Sequence, residues 1–126
     1  MQTTAQIRDA LRAARHDLQR DYETRPQARR VLRAHAKLID RFMQLVWLRA
    51  GMPENAAFIA VGGYGRMELF PKSDIDLLIL LPQQPDNELQ QRLQTLIGVL
   101  WDIGLEIGHS IRTVEECIAE SSDVTV

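Results

Sequence analysis

Residues 61–80 read Val61-Gly62-Gly63-Tyr64-Gly65-Arg66-Met67-Glu68-Leu69-Phe70-Pro71-Lys72-Ser73-Asp74-Ile75-Asp76-Leu77-Leu78-Ile79-Leu80, and the fold turns on how this stretch divides. Gly62, Gly63 and Gly65 leave almost no side-chain bulk and mark a turn. Before it, Phe58-Ile59-Ala60-Val61 reads as a short buried strand that the glycines end. After it, Ile75 to Leu81 is apolar on both faces once past the aspartates, which is the pattern of a strand central in its sheet. Side chains along a strand alternate with a period of two, so Asp74 and Asp76 project from the same face.

Working outward, Thr3 or Thr4 can cap a helix through about residue 22, with Ile7, Leu11, Ala14 and Leu18 on one apolar face. Pro26 suits the first turn of a second helix to about Ala50, striped by Val31, Leu32, Leu38, Ile39, Phe42, Leu45 and Val46. Gly51-Met52-Pro53 supplies the stop. Downstream, Pro82 to Asn87 is turn-rich, Glu88 to about Ile103 reads as a helix, and Gly104 to Arg112 as a third strand. Thr113 caps a last helix. The expectation is an α/β (α+β) fold: a small mixed sheet flanked by helices. The division expected is a helical segment over residues 1–52 and a core over 53–126. A fresh apolar stretch starts at Val124-Thr125-Val126, so the core is expected to be truncated at its C-terminal side.

The aspartate pair invites a cation. Two like charges on one face of a central strand repel and lose hydration unless a positive ion offsets them. Carboxylate oxygens suit Mg²⁺, which in turn carries the phosphates of a nucleotide. The glycine turn lets backbone N–H groups approach a phosphate closely, and Arg66, expected at the start of a short helix, adds attraction for an anion. This layout is that of metal-dependent nucleotidyl transfer. In a two-metal site one ion activates the attacking oxygen and the other steadies the triphosphate and its leaving group. Such a site usually wants a third carboxylate. Glu106 is the candidate, as metal ligand or nucleophile-orienting base, with Asp102 its competitor at a helix end. Ser73 can bond the phosphates or hold the loop.

Other glycine-loop chemistries fail on the residues. A P-loop needs Gly-Lys-Ser/Thr where Gly65-Arg66-Met67 stands, and a dinucleotide fingerprint needs glycine or alanine at Glu68. Tyr64 can stack on a base or pack at the turn. His109 can orient the acceptor or serve as a structural strand residue, and His16 and His35, on the helical segment, carry no functional weight. Cys117 lies in a helical stretch beside Glu115 and Glu116, which disfavour a reactive thiolate, and reads as a small buried hydrophobe.

Composition sets the frame. At 126 residues, with 45% hydrophobic and 25% charged residues, the chain has the size and make-up of one globular domain. No stretch reaches the roughly 18 apolar residues that span a bilayer, and Met1 to Ala10 lacks an apolar signal segment, so a cytoplasmic location without membrane contact is expected. Residues 1–50 carry eleven Lys and Arg against five acids, and residues 51–126 carry four against twelve. The arginines spread around the helices without interleaved aromatics, which argues against nucleic acid as a partner.

The motif Gly62-Gly63-Tyr64-Gly65-Arg66, then Glu68-Leu69, Pro71 and Ser73-Asp74-Ile75-Asp76-Leu77-Leu78-Ile79-Leu80 resembles the nucleotidyltransferase motif of the bacterial PII uridylyltransferase/uridylyl-removing enzymes. The run Leu100-Trp101-Asp102-Ile103-Gly104-Leu105-Glu106-Ile107-Gly108-His109-Ser110-Ile111-Arg112-Thr113 is similar to that family too. The likeness covers roughly residues 55–126. The glycine turn and aspartate pair mark the wider DNA polymerase β-like superfamily; the wording around Tyr64 and Gly108 narrows it.

The resemblance implies transfer of UMP from UTP to a tyrosine of the PII nitrogen-regulatory protein, with release of pyrophosphate and a requirement for Mg²⁺ or Mn²⁺. By position, it implies Asp74 and Asp76 as metal ligands, Gly62, Gly63 and Ser73 as holders of the triphosphate, and Glu106 as the third acid. Family members are multifunctional, and their uridylyl-removing and glutamine-sensing parts carry no assignment on these residues. Two rival readings are an adenylyltransferase acting on a protein or small molecule, and a non-catalytic nucleotide-binding module. With only one wall of a cleft in these residues, weak UTP binding and little transfer by the 126 residues alone are expected.

Overall fold

Three strands, β1 (Ala57–Ala60), β2 (Ile75–Leu81) and β3 (Ile107–Thr113), form a mixed sheet in the order β1-β2-β3. The computed structural model describes residues 2–70 and 73–123. Pro71, Lys72 and the apolar residues 124–126 lie outside the described residues. β1 runs antiparallel to β2 with Phe58 opposite Ile79, and β3 runs parallel to β2 with Asp76 opposite Gly108. β2 is therefore central, as its two apolar faces require.

The alternation along β2 decides which side is covered. Ile75, Leu77, Ile79 and Leu81 are buried, whereas Asp76 is exposed and Leu78 and Leu80 are half-buried. The buried side meets α1 (Thr4–Thr24), α2 (Ala28–Ala50) and α4 (Asn87–Asp102), whose Ile7, Leu11, Ile39, Met43, Leu93, Leu96 and Leu100 join the strand residues in one core. Trp47 of α2 lies against Phe58 of β1, ring centroids 4.8 Å apart, and ties helix to sheet. The last helix, α5 (Val114–Asp123), follows β3 directly.

Local chemistry sets the element ends. Thr3 caps α1, its side chain accepting from the Gln6 N–H while Gln6 bonds back to the Thr3 N–H, two otherwise unsatisfied donors met at once. α2 starts at Ala28, so Pro26 stands just before the helix and not in its first turn. It ends at Gly51, whose φ of 64° is the left-handed cap that glycine adopts without a Cβ penalty. Asp86 caps α4 through the Leu89 N–H, one residue inside the stretch expected as loop. Thr113 caps α5 through the Glu116 N–H, with Glu116 bonding back to the Thr113 N–H.

Two differences bear on the site. The third strand begins at Ile107, so Glu106 stands at its entrance; the Ile75 N–H donates to its carbonyl at 2.8 Å. The short helix at the glycines, α3, is Gly62–Gly65 itself, and Arg66 is its C-cap and not its start. The glycines thus wind into a single helical turn, closed by Gly65 N–H to Val61 carbonyl and Arg66 N–H to Gly62 carbonyl bonds.

Candidate active site

The site lies where the end of β1 meets the beginnings of β2 and β3. A hydrogen bond from the Val61 N–H to the Asp76 carbonyl (3.0 Å) continues the β1–β2 ladder and brings the glycine turn beside Asp76. On the other flank, register places Gly108 opposite Asp76. Residues paired across neighbouring strands share a face. Extending that register one step outward sets Glu106 beside Asp74 on the face of Asp76. All three acids are exposed.

Asp76 sits in a slot that only glycine can leave open. A Cβ placed on Gly62 would stand 2.9 Å from its Oδ2, and one on Gly108 would stand 2.8 Å from its Oδ1. Both are closer than such atoms approach in folded proteins. Gly62 also has φ 61°, a left-handed value costly for other residues. The carboxylate therefore spans the gap between turn and β3, one oxygen toward each. Gly65 serves a different purpose. A Cβ there would meet the Ala60 carbonyl oxygen at 2.8 Å, so the bare glycine lets the turn close on β1.

Gly62 and Gly65 are exposed, Gly63 is half-buried, and Arg66 points to solvent near Glu68, 3.8 Å from its carboxylate. Such an exposed pair contributes little to stability and leaves Arg66 available. Ser73 is exposed, its N–H bonded to the Phe70 carbonyl. Asp102 is exposed at the last residue of α4. His109 is exposed and Cys117 is half-buried.

Tyr64 does not reach out to a base. It is 3% exposed and its hydroxyl donates to Asp40 of α2. Burial, then the bond to Asp40 and its negative charge, push the phenol well above its ordinary pKa, so it stays protonated. His35, without functional weight in sequence, is 1% exposed; its Nδ1 lies 3.1 Å from the Leu69 carbonyl and Arg15 Nε donates to its Nε2 at 3.2 Å. A carbonyl only accepts and a guanidinium only donates, so His35 is neutral with its proton on Nδ1. Burial is the main cause holding its pKa below the ordinary histidine value, with the Arg15 charge adding to it.

Residues 8–110 match the family model described as "Putative nucleotidyltransferase DUF294". The chain belongs to this nucleotidyltransferase family. Curated relatives include proteins named bifunctional uridylyltransferase/uridylyl-removing enzyme. That of Nitrosospira multiformis is 48% identical over 95% of this chain and 14% of its own length. The counterpart from Ralstonia nicotianae is 48% identical over 94% of the chain and 14% of the relative. In Aromatoleum aromaticum the figures are 52% identity, 83% of the chain and 12% of the relative. The chain thus spans about one-seventh of the first two relatives. No solved structure matches significantly.

For a nucleotidyltransferase the donor set fits a hard divalent cation. Asp74 and Asp76 are both exposed, and the missing Cβ atoms of Gly62 and Gly108 keep both oxygens of Asp76 uncovered. Mg²⁺ is commonly held by one or two carboxylates together with substrate phosphates. Among the described residues no three His, Cys, Asp or Glu side chains converge as a ready metal cage. Glu106 is therefore a neighbour of the pair by register. Gly108 is the residue that sequence reasoning misses; its signal is a glycine inside a strand, which marks a close approach.

Proposed function

We propose that this domain transfers UMP from UTP to a tyrosine hydroxyl of the PII signalling protein. The single observation that carries the chemistry is the Asp76 carboxylate held open between Gly62 and Gly108. The names of the relatives favour the uridylyl group as cargo.

Asp74 and Asp76 would hold Mg²⁺ or Mn²⁺, which when bound offsets phosphate charge and lowers the barrier to attack at phosphorus. Gly62 and Gly63 leave the turn without side chains, so the triphosphate can come close to the backbone. Ser73, just before the aspartates, offers its hydroxyl to a phosphate oxygen. The tyrosine oxygen of the acceptor forms a bond to the α-phosphorus, the bond from that phosphorus to the bridging oxygen of the β-phosphate breaks, and pyrophosphate leaves. Glu106 stands at the sheet entrance to orient the attacking hydroxyl and receive its proton. Exposed Arg66 adds positive charge beside the turn. No helix among the described residues is long and apolar enough to cross a membrane.

Calorimetric titration with UTP and with ATP, each with Mg²⁺, tests this reading. UTP binding that requires the metal and vanishes in the Asp74→Asn, Asp76→Asn double variant is the expected result. Preference for ATP would replace uridylyl by adenylyl transfer, and binding unchanged in the double variant would remove the site from this face.

A further inference from the structure

We propose that α2 positions the glycine turn for nucleotide through two residues, Asp40 and His35, which grip the segment joining β1 to β2 at Tyr64 and Leu69. This rests on the nucleotide site described above and adds to it residues outside the motif.

Between Val61 and Phe70 the chain is held largely by bonds to itself. Gly65, Arg66 and Glu68 donate their N–H groups to the carbonyls of Val61, Gly62 and Gly63, and Met67 donates to Tyr64. Met67 turns the chain with φ 60°, a left-handed value that a non-glycine residue holds only when its surroundings impose it. A one-turn helix of this kind has no stability of its own. The Val61 N–H bond to the Asp76 carbonyl holds its upstream end, and its downstream part must be fixed by contacts with something rigid.

α2 supplies them at both ends of the bend. At the near end, Tyr64 lies next to Gly63 in the same turn, and its buried hydroxyl donates to Asp40. At the far end, His35 Nδ1–H donates to the carbonyl of Leu69, itself 1% exposed. The imidazole is in turn oriented by Arg15 of α1, whose Nε–H needs an unprotonated Nε2. The grip is a chain of directed bonds, Arg15 to His35 to Leu69, plus one from Tyr64 to Asp40. Gly62 and Gly63 lie upstream of both anchors and within one turn of the first. Letting go of either anchor leaves the turn held only at its upstream end, by Val61. Asp40 and His35 are positioning residues: neither lies on the sheet face that carries the acids.

The test uses the 126-residue chain and two readouts. Amide hydrogen exchange of Gly65, Arg66 and Glu68, compared with Ile75 in the β2–β3 ladder, reports the turn without reference to any ligand. Calorimetry with UTP and Mg²⁺ reports its use. Tyr64→Phe and His35→Leu are expected to speed exchange in the turn but not at Ile75, and to weaken UTP by about tenfold, the scale of one lost bond to a charged or buried group. Asp40→Asn and His35→Gln keep an acceptor for Tyr64 and a donor for Leu69, and are expected to recover most of both losses. Uniform acceleration at all four amides, or turn exchange equal to that of the unaltered chain, would overturn the inference. So would unchanged UTP affinity in Tyr64→Phe and His35→Leu. Should His35→Leu fail to fold, Tyr64→Phe and Asp40→Asn decide. Should the unaltered chain bind no UTP, the proposed function fails, and the exchange comparison still decides whether α2 holds the turn.

Discussion

Asp76 is useful because of what its neighbours lack. The period of a strand is enough to put Asp74 and Asp76 on one face, so the pair is legible in the sequence. Gly108 is not, because its place opposite Asp76 depends on the register of two strands separated by the whole of α4. Tyr64 and His35 are hidden for a related reason: each is defined by a partner far along the chain, Asp40 and Leu69 respectively. Gly108→Ala tests the slot directly. The added methyl would start 2.8 Å from Asp76 Oδ1 and must turn the carboxylate aside. A loss of UTP affinity in Mg²⁺ of about tenfold or more is expected, as for a displaced charge-assisted contact, with thermal stability little changed. Calorimetry and a melting curve on the same variant check both halves, and full affinity in Gly108→Ala would deny the slot its function.

At the scale of elements, caps and apolar periods make α1, α2, β2 and α4 legible to within a few residues. The third strand starts later than its apolar pattern predicts, because Gly104-Leu105-Glu106 stays outside the paired strand that begins at Ile107. The glycines mark a turn at Gly62–Gly65, and the structure closes it as a single helical turn by local bonds to Val61 and Gly62. The join between α1, α2 and Leu69, in the segment after the turn, passes through neutral His35, and that gives stability a pH dependence. The folded state holds the imidazole pKa below its ordinary value, so between that lowered value and about 6.5 the unfolded chain binds a proton that the folded chain refuses. His35 thus costs no stability above about pH 6.5, and stability falls as the pH drops below it. Glu116 acts lower: the Thr113 N–H bond holds its carboxyl below the usual range, so its contribution is lost only within the carboxylate range. Denaturant melts from about pH 7.5 to 5 are expected to show a loss below about pH 6.5 that His35→Gln flattens. Parallel curves for the two chains would contradict a neutral, buried His35.

Across the whole molecule, helices and sheet share one core. Ile7 and Leu11 of α1 and Ile39 and Met43 of α2 join Ile75 to Leu81 of β2 in a single buried cluster. The basic segment over residues 1–52 is therefore packed against the core that carries the motif, although composition separates the two sharply. Charge asymmetry marks which surface is basic and which acidic; it does not mark where a core ends. One cooperative transition is expected, with far-ultraviolet dichroism and tryptophan fluorescence coinciding, since Trp47 reports the helix–sheet contact and Trp101 lies on α4. Two separate transitions would mean that the helical segment folds independently.

The most direct measurement is a titration of the isotope-labelled chain with Mn²⁺ in the presence of UTP, following paramagnetic broadening of backbone amide signals. If Asp74 and Asp76 hold the cation, the signals of Gly62, Asp76 and Gly108 disappear first, at substoichiometric metal, and the Asp74→Asn, Asp76→Asn variant keeps them sharp. If those three stay sharp while Glu115 and Glu116 at the start of α5 broaden, the metal binds elsewhere and the sheet entrance is not the nucleotidyltransferase site.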